Sequence, residues 1–341
     1  MKIKHLLLAF TALAVCFTAE AQETTAEKVK SFADKHLKLS GYLQGGFQWE
    51  ESADPQSTFY LRRARVSISG DAAKEKIDYR LQVDMAGSPK ICDLYFRYKP
   101  FNQLNIQLGQ YKLPFSLENE LYGPTKFEFI EYSYLTTYLV RNNNKYDGIS
   151  SATGRDMGIQ LYGGFIEREG YSIINYNLGV FNGSGINGKD NNSSKDVIAR
   201  LIIKPFKGFS VSGSYMYSET NYGGMEYMKS PRWSVGAIYD VRHWIVRTEF
   251  AQADFAGNKT DAFYALAGYH FEKPWTIAAR YEFINDELKT LDEERVTLGA
   301  VYKPFKFLRL QLNMTYTMRH NVPVTAMQSS LGANLMVSAI F

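Results

Sequence analysis

Arginine is the residue type whose spacing in this chain suggests chemistry. Arg63 and Arg65 lie two positions apart with no acidic residue between them, so both would lie on one face of an extended strand. A guanidinium group pairs with phosphate or carboxylate through two parallel hydrogen bonds, and rings of arginine or lysine in a pore favour anions. Nine arginines fall on the polar faces of alternating segments: Arg63, Arg65, Arg80, Arg97, Arg200, Arg247, Arg280, Arg295 and Arg309. We predict anion binding, with Arg63 and Arg65 as the best candidates.

Acidic residues occupy the same polar faces, so a structural ion pair is the alternative role for each of these arginines. The acidic residues are Asp78, Asp84, Asp93, Asp156, Glu249 and Glu282. The whole chain has 39 basic and 35 acidic residues and a formal net charge of +4. This bias is too small to identify a partner by charge, and it gives no reason to expect nucleic-acid binding.

The sequence gives little support for an enzyme, a metal site or a nucleotide-binding site. A hydrolase would need a nucleophile beside a histidine, and the histidines after residue 21 are scattered, at His36, His243, His270 and His320. Their spacing does not fit a metal site, and the chain has no glycine loop of the nucleotide-binding kind. We therefore predict no catalytic residue, no metal and no cofactor.

The elements that would position the arginines are β-strands. Apolar and polar residues alternate with a period of two over about sixteen segments, as in Ile77–Met85 and Leu308–Tyr316. The segments are approximately 39–50, 58–70, 76–86, 91–99, 103–111, 155–163, 170–182, 195–204, 208–219, 231–240, 243–254, 260–271, 274–285, 293–303, 306–318 and 330–341. This alternation fits either a soluble sandwich or a membrane barrel whose apolar face contacts lipid and whose polar face lines a lumen.

The connections between these segments favour the barrel. Lys-Pro-Phe occurs three times, at Lys99–Phe101, Lys204–Phe206 and Lys303–Phe305, each time between two strand-like segments. Proline cannot donate to a ladder, which makes each copy a tight turn. Short connections like these alternate with longer ones rich in glycine, asparagine, aspartate and serine, as in outer-membrane barrels. We predict an all-β, transmembrane antiparallel barrel of about 16 strands.

The first residues of the chain are typical of an exported protein. Residues 1–21 contain a basic start at Lys2 and Lys4, an apolar core and a small-x-small site at Ala19–Ala21. These features predict a secretory signal peptide. A lipoprotein signal ending before Cys16 is the alternative.

The rest of the chain divides into two parts. Residues 22–38 are polar with a weak helical rhythm and are predicted to form a short periplasmic extension, whereas residues 39–341 are predicted to form the barrel. The last strand alternates and ends on Phe341, a pattern that resembles the assembly signal of bacterial outer-membrane barrels.

One connection is much longer than the others. Residues 112–154 lack strand rhythm and contain an aromatic middle that includes Phe127, Phe129 and Tyr132. So much apolar surface is expected to pack against protein, and long ordered loops tend to be functional. We predict that this loop folds into the barrel and narrows the pore, with an outer lid or a subunit contact as the alternatives.

Four motifs resemble the phosphate-selective porin O and P family. They are the segments Phe59–Arg65, Gly109–Glu118, Phe129–Ser133 and Arg155–Gly158, and the specific similarity extends over about residues 40–165. The resemblance implies a sixteen-stranded, trimeric outer-membrane porin whose third loop constricts the pore. In this family lysines and arginines at the constriction bind anions such as phosphate. The matching positions in this chain are Arg62, Arg63, Arg65, Lys112, Arg141 and Arg155.

The sequence thus predicts a porin in the outer membrane of a Gram-negative bacterium. Its expected function is passive diffusion of small hydrophilic solutes, and its finer predicted property is a preference for anions or phosphate. Outer-membrane lipid, small anionic or hydrophilic solutes and two further copies of the chain are the predicted partners. A non-conducting barrel that acts as an adhesin or an assembly component is one alternative, and an outer-membrane hydrolase is a weaker one.

Overall fold

The computed structural model describes residues 37–72, 76–140, 153–190, 192–221, 227–272, 274–323 and 325–341. The predicted signal peptide, almost all of the predicted periplasmic extension and the candidate residue Arg141 lie outside these residues. Among the described residues, no helix has the length and apolar character that crossing a bilayer requires.

Strands make up most of the described chain. In order they are β1 (Leu37–Glu50), β2 (Ser57–Ala72), β3 (Ile77–Asp84), β4 (Lys90–Phe101), β5 (Leu104–Lys112), β6 (Arg155–Arg168), β7 (Tyr171–Phe181), β8 (Asp196–Phe206), β9 (Phe209–Tyr217), β10 (Glu219–Asn221), β11 (Tyr227–Lys229), β12 (Arg232–Val241), β13 (Trp244–Phe255), β14 (Asn258–His270), β15 (Trp275–Asp286), β16 (Asp292–Phe305), β17 (Leu308–Arg319) and β18 (Ser329–Ile340). Between β5 and β6 the described residues form one short helix, α1 (Leu117–Leu121), and one π-helical turn (Leu135–Val140).

Sixteen of these strands form one closed antiparallel barrel. Each barrel strand pairs with its neighbour along the chain, and β18 pairs with β1 to close the cylinder. Closure leaves the barrel without an unpaired sheet edge, which a bilayer would not tolerate. The predicted fold class and strand number are confirmed. The additional hairpin of β10 and β11 stands outside the barrel and was not expected from the alternation.

The two ends of the barrel differ in the length of their connections. At the turn end, where both Leu37 and Phe341 lie, residues 102–103, 207–208 and 306–307 form two-residue turns. Each of these turns follows a Lys-Pro-Phe copy, and the strand register shifts there because proline interrupts the ladder. Most connections at the opposite end, called the loop end, are longer. The connection between β13 and β14 is an exception, since only residues 256–257 separate these strands.

The alternation of each strand separates a lipid face from a lumen face. In β8 the exposed side chains of Val197, Leu201 and Ile203 alternate with the buried side chains of Asp196 and Arg200. The period of two requires this separation, because successive side chains of a strand point to opposite faces. The exposed apolar faces would be covered by acyl chains, and the polar faces line the interior.

The segment between β5 and β6, residues 113–154, is called loop 3, and its described part folds into the barrel. Phe115, Leu135 and Leu139 are fully buried and belong to one apolar cluster with Ile198 and Ile284 of the barrel wall. A second cluster contains three aromatic residues of loop 3 and three wall residues: Phe127, Phe129, Tyr132, Ile245, Leu266 and Ala278. The prediction of a loop that folds into the barrel is confirmed for residues 113–140. The apolar surface of these residues packs against the barrel wall, so neither an outer lid nor a subunit contact is required to cover it.

Candidate functional site

The described part of loop 3 carries four carboxylates, and each is paired with an arginine on a different wall strand. The wall partners are Arg280 of β15, Arg200 of β8, Arg247 of β13 and Arg62 of β2, which pair with Glu118, Glu120, Glu128 and Glu131 respectively. Because these four strands are spread around the barrel, the ion pairs fasten the loop from several sides. A buried carboxylate needs such a partner, since an unpaired buried charge is costly.

Other arginines bind the backbone of loop 3. The Arg309 guanidinium donates to the carbonyl oxygens of Phe127 and Pro124, the latter at 3.1 Å. Arg232 donates to the carbonyl oxygen of Leu139 at 2.6 Å. Backbone carbonyls in an irregular segment need donors when they are buried, and these arginines supply them. Most arginines on the wall from β8 to β17 therefore hold the loop.

The start of loop 3 is fixed by a buried wall carboxylate. Glu249 of β13 accepts hydrogen bonds from the Ser116 hydroxyl at 2.8 Å and from the Leu117 amide at 3.1 Å. Ser116 has a φ of 67°, a left-handed conformation that is uncommon for a residue other than glycine. The bonds to Glu249 hold this turn, after which α1 begins.

Open space remains on the other side of the lumen, along β1 to β6. Two cavities occupy this side, the first of about 300 Å³ and the second of about 400 Å³. Residues 123–125 of loop 3 border the first cavity. Their walls carry more basic than acidic side chains. The basic residues are Lys38, Arg65, Arg80, Arg97, Lys99, Lys112 and Arg155, and the acidic residues are Asp71, Asp78, Asp93 and Glu120. This excess makes the open side of the lumen attractive to anions.

A β-bulge brings Arg62 into the lumen. Gln44 of β1 is opposite Arg63, whereas Gly45 is opposite Leu61, so Arg62 is an extra residue in β2. Because Arg62 is next to the inward residue Arg63 in the chain, strict alternation would place Arg62 on the lipid face. The bulge instead allows both neighbouring arginines to reach interior partners, as bulges commonly re-aim side chains.

The predicted site residues have different environments. Arg62 forms two hydrogen bonds with Glu131, one of them 2.6 Å long. Arg63 is buried and donates to the Gln44 side chain at 2.9 Å; among the described residues no carboxylate lies within ion-pair distance of it. Arg65 lines the first cavity and pairs with Asp84 at 2.8 Å.

The remaining candidates lie near the start and end of loop 3. Lys112 donates to the carbonyl oxygen of Asn119 at 2.6 Å, and Arg155 pairs with Asp93 at 2.7 Å. Both line the first cavity together with Arg65. The structure therefore brings Arg65, Lys112 and Arg155 to one cavity and places Arg62 and Arg63 outside its lining.

Three lumen residues were not among the predicted site residues. Arg80, Tyr95 and Arg97 line both cavities. The alternation does place the two arginines on the polar face, but it gives no reason to prefer them over other arginines. Tyr95 is uncharged, so a search for charged residues on the polar faces does not find it. Only the packing of loop 3 against the opposite wall shows which lumen residues stay accessible.

The Glu131 carboxylate has a perturbed acidity. Partial removal from water inside the barrel raises the pKa of Glu131, but the Arg62 guanidinium outweighs this effect and holds the pKa below its usual value. Glu131 thus stays ionised at neutral pH. It also borders a third cavity, of about 180 Å³, together with Arg280 and Arg295.

Residues 38–243 match the family described as phosphate-selective porin O and P. The chain belongs to this family. The match covers more than half of the chain and includes β2 to β6 and loop 3, which confirms the resemblance seen in the motifs. No curated protein sequence matches the chain.

Solved porin structures share the fold. An anion-selective porin from Comamonas acidovorans has a TM-score of 0.73 and 14% identity, covering 89% of this chain and 99% of that one. OmpF of Salmonella typhi, in complex with daunomycin, has a TM-score of 0.65 and 14% identity, covering 90% and 98%. OmpT of Vibrio cholerae in its trimer form has a TM-score of 0.63 and 13% identity, covering 89% and 99%. Family and fold together are those of an outer-membrane porin of a Gram-negative bacterium.

Proposed function

We propose that this porin lets small hydrophilic solutes diffuse passively and prefers anions, with phosphate among them. The observation that carries this proposal is the division of the lumen. Loop 3 is packed against the wall from β8 to β17, and the cavities that remain along β1 to β6 have seven basic and four acidic lining residues. Membership of the family and the name of the Comamonas relative are consistent with the same preference.

The preference is tested by electrical recording from purified protein in planar bilayers. Under a salt gradient the reversal potential should show that chloride is more permeant than potassium, and phosphate should reduce the chloride current. A cation preference would contradict the anion proposal but not diffusion through the pore. An absence of single-channel current would instead favour the alternative of a non-conducting barrel.

The double variant Arg80→Ala/Arg97→Ala tests which wall carries the preference. Asp93 retains Arg155 and Asp78 retains Lys99 in this variant, so two positive charges are lost without leaving an acid unpaired. The ratio of chloride to potassium permeability should fall at least about fivefold, since each of the two unit charges contributes about 1 kcal/mol in water at a distance of about 4 Å. Arg168→Ala is the control, because Arg168 lies at the turn end with its side chain 60% exposed.

Assembly and export form a second part of the proposal. We infer a homotrimer, as the family resemblance implies, and secretion with removal of residues 1–21. Unheated protein should migrate on denaturing gels as a trimer that heating dissociates. Amino-terminal sequencing of protein from outer membranes should begin at Gln22, whereas an amino-terminal lipidated Cys16 would show that the lipoprotein alternative is correct.

A further inference from the structure

The two cavities of the open lumen meet at Arg80, Tyr95 and Arg97, which we call the neck. These three residues line both cavities. In the pairing of β3 with β4, Arg80 lies directly opposite Tyr95, and Arg97 follows two residues further along β4. All three therefore share the inner face of the barrel. A solute that moves along this wall from one cavity to the other passes the neck.

Arg80 does not have a carboxylate to itself. Asp93 pairs with Arg155 at 2.7 Å and lies 3.4 Å from Arg80. One carboxylate thus faces two guanidinium groups and leaves a net positive charge at this point. An anion that reaches Arg80 can pair with it while Arg155 keeps Asp93.

Arg97 is in the same situation on the other side of the neck. Asp78 lies 2.6 Å from Arg97 and 3.0 Å from Lys99. The side chains of Arg80 and Arg97 are also 37% and 35% exposed, whereas that of Arg65 is 5% exposed. The neck therefore presents two accessible guanidinium planes with surplus charge.

Tyr95 adds an aromatic ring beside Arg97 and opposite Arg80. The Arg97 guanidinium lies 5.0 Å from the centre of the Tyr95 ring, and the Tyr111 ring meets Tyr95 edge-on at 6.1 Å. Among the described residues, no group is hydrogen-bonded to the Tyr95 hydroxyl, so this hydroxyl can donate to a solute. Charge alone would not need an aromatic side chain at this point.

We propose that the neck is a binding site for organic oxyanions whose phosphate or carboxylate group is attached to a flat ring. The acidic group binds the two guanidinium groups and the Tyr95 hydroxyl. The ring stacks on the arginine planes and on Tyr95, as guanidinium and aromatic groups readily do. The inference rests on the proposed anion-preferring pore and adds a solute class to it. Inorganic phosphate and small alkyl phosphates gain only the charge contacts.

The test compares phenyl phosphate with methyl phosphate, which carry the same acidic group and differ in the ring. Each is added to full-length protein in a planar bilayer, and the concentration that halves the chloride current is measured. Phenyl phosphate should block at a concentration about three- to tenfold lower, the effect expected of one aromatic contact. Tyr95→Leu should bring the two concentrations close together, and Tyr95→Phe should keep them apart.

Two further variants make the result unambiguous. Tyr60→Leu is the matched control, because Tyr60 is an inward tyrosine of β2 that bonds Asn334 and lines neither cavity. It should retain the wild-type ratio. If Tyr95→Leu does not insert, Arg97→Lys replaces it, since lysine keeps the charge but removes the flat group and should lower the ratio.

The outcomes separate this inference from the proposed function. Equal block by the two esters in wild-type protein, or an unchanged ratio in Tyr95→Leu, would overturn the inference even when the reversal potential shows an anion preference. A wild-type reversal potential without anion preference would overturn the proposed function itself.

Discussion

Glu131 is the most accessible of the four carboxylates on the described part of loop 3. Its side chain is 47% exposed, compared with 2% for Glu118, and its partner Arg62 is 20% exposed. An exposed ion pair contributes little to stability, because water screens it. The Arg62–Glu131 pair is therefore expected to influence which ions pass rather than whether the barrel folds.

Replacing Glu131 with glutamine should increase the preference for anions. The amide removes one negative charge beside the third cavity and leaves the Arg62 charge uncompensated, while it preserves the shape of the side chain. The ratio of chloride to potassium permeability should rise about fivefold or less. Reversal potentials in a salt gradient measure this ratio. Glu51→Gln, an exposed residue of the first loop, provides the control and should leave the ratio as it is.

The same pair predicts a pH dependence. Because Arg62 holds the pKa of Glu131 below its usual value of 4.5, the carboxylate is ionised at neutral pH and is protonated only as the pH falls below that value. Any stability that the pair contributes is present above the usual pKa and is lost as the pH falls through the lowered one. Wild-type protein should thus become more anion-selective in acid and approach Glu131→Gln. The difference between the two proteins should persist as the pH falls to 4.5 and disappear only below that value, so a difference that is already lost above pH 4.5 would contradict the lowered pKa.

Loop 3 is the element that determines how much of the lumen stays open. Among its four described carboxylates that pair with wall arginines, Glu118 is the most deeply buried. Glu118 accepts hydrogen bonds from the Ser133 amide at 2.8 Å and from its hydroxyl at 2.6 Å, and it lies 3.5 Å from Arg280. These contacts join α1, the middle of the loop and the wall strand β15. Removing the carboxylate would release all three at once.

Glu118→Ala should loosen loop 3 and destabilise the barrel. Removing one partner of a buried ion pair typically costs about 3–5 kcal/mol. We expect a larger and noisier single-channel conductance together with a lower unfolding temperature in detergent. Glu118→Gln is the conservative control, since its amide oxygen can still accept the Ser133 bonds. Equal conductance in wild type and Glu118→Ala would show that other anchors suffice.

The strands were predictable from sequence, but the anchors of loop 3 were not. A period of two is a local property, so the sixteen barrel segments follow from neighbouring residues alone. The bulge that turns Arg62 inward breaks this period by one residue, which the alternation does not reveal; Arg62 was a candidate only through the family resemblance. The partners of loop 3 are set by barrel closure, as when Arg280 meets Glu118 from 162 positions away. Apolar residues on the lumen face, such as Ile245 and Leu266, were the one available signal of the loop's resting place.

At the scale of the whole molecule, the seam between β1 and β18 decides whether the cylinder closes. Gly41 and Phe341 exchange two backbone hydrogen bonds, of 2.8 and 3.0 Å. A side chain at position 41 would meet the Phe341 ring at 2.5 Å and the Arg65 carbonyl oxygen at 2.6 Å. These distances are too short for a carbon atom, so glycine is required at this point of the seam.

Gly41→Ala should therefore weaken closure of the barrel. Overpacking of this kind typically costs about 1–3 kcal/mol. The temperature at which the folded barrel converts to the slower-migrating unfolded form on gels should fall. Gly45→Ala on the same face of β1 is the control, because its nearest neighbour, the Tyr60 carbonyl oxygen, would lie at an ordinary 3.5 Å. If both variants unfold at the same temperature, the seam tolerates the added methyl group.

The ion pairs of loop 3 also have a consequence for the order of assembly. Three of the four partner arginines, on β8, β13 and β15, follow the loop in the chain. During synthesis and export, Glu118, Glu120 and Glu128 precede the residues that neutralise them, so the loop cannot take up its final position in a half-made wall. The narrow cross-section of the channel therefore depends on strands that are made after the loop, and a wall without β8, β13 and β15 would leave these three acids without their arginine partners.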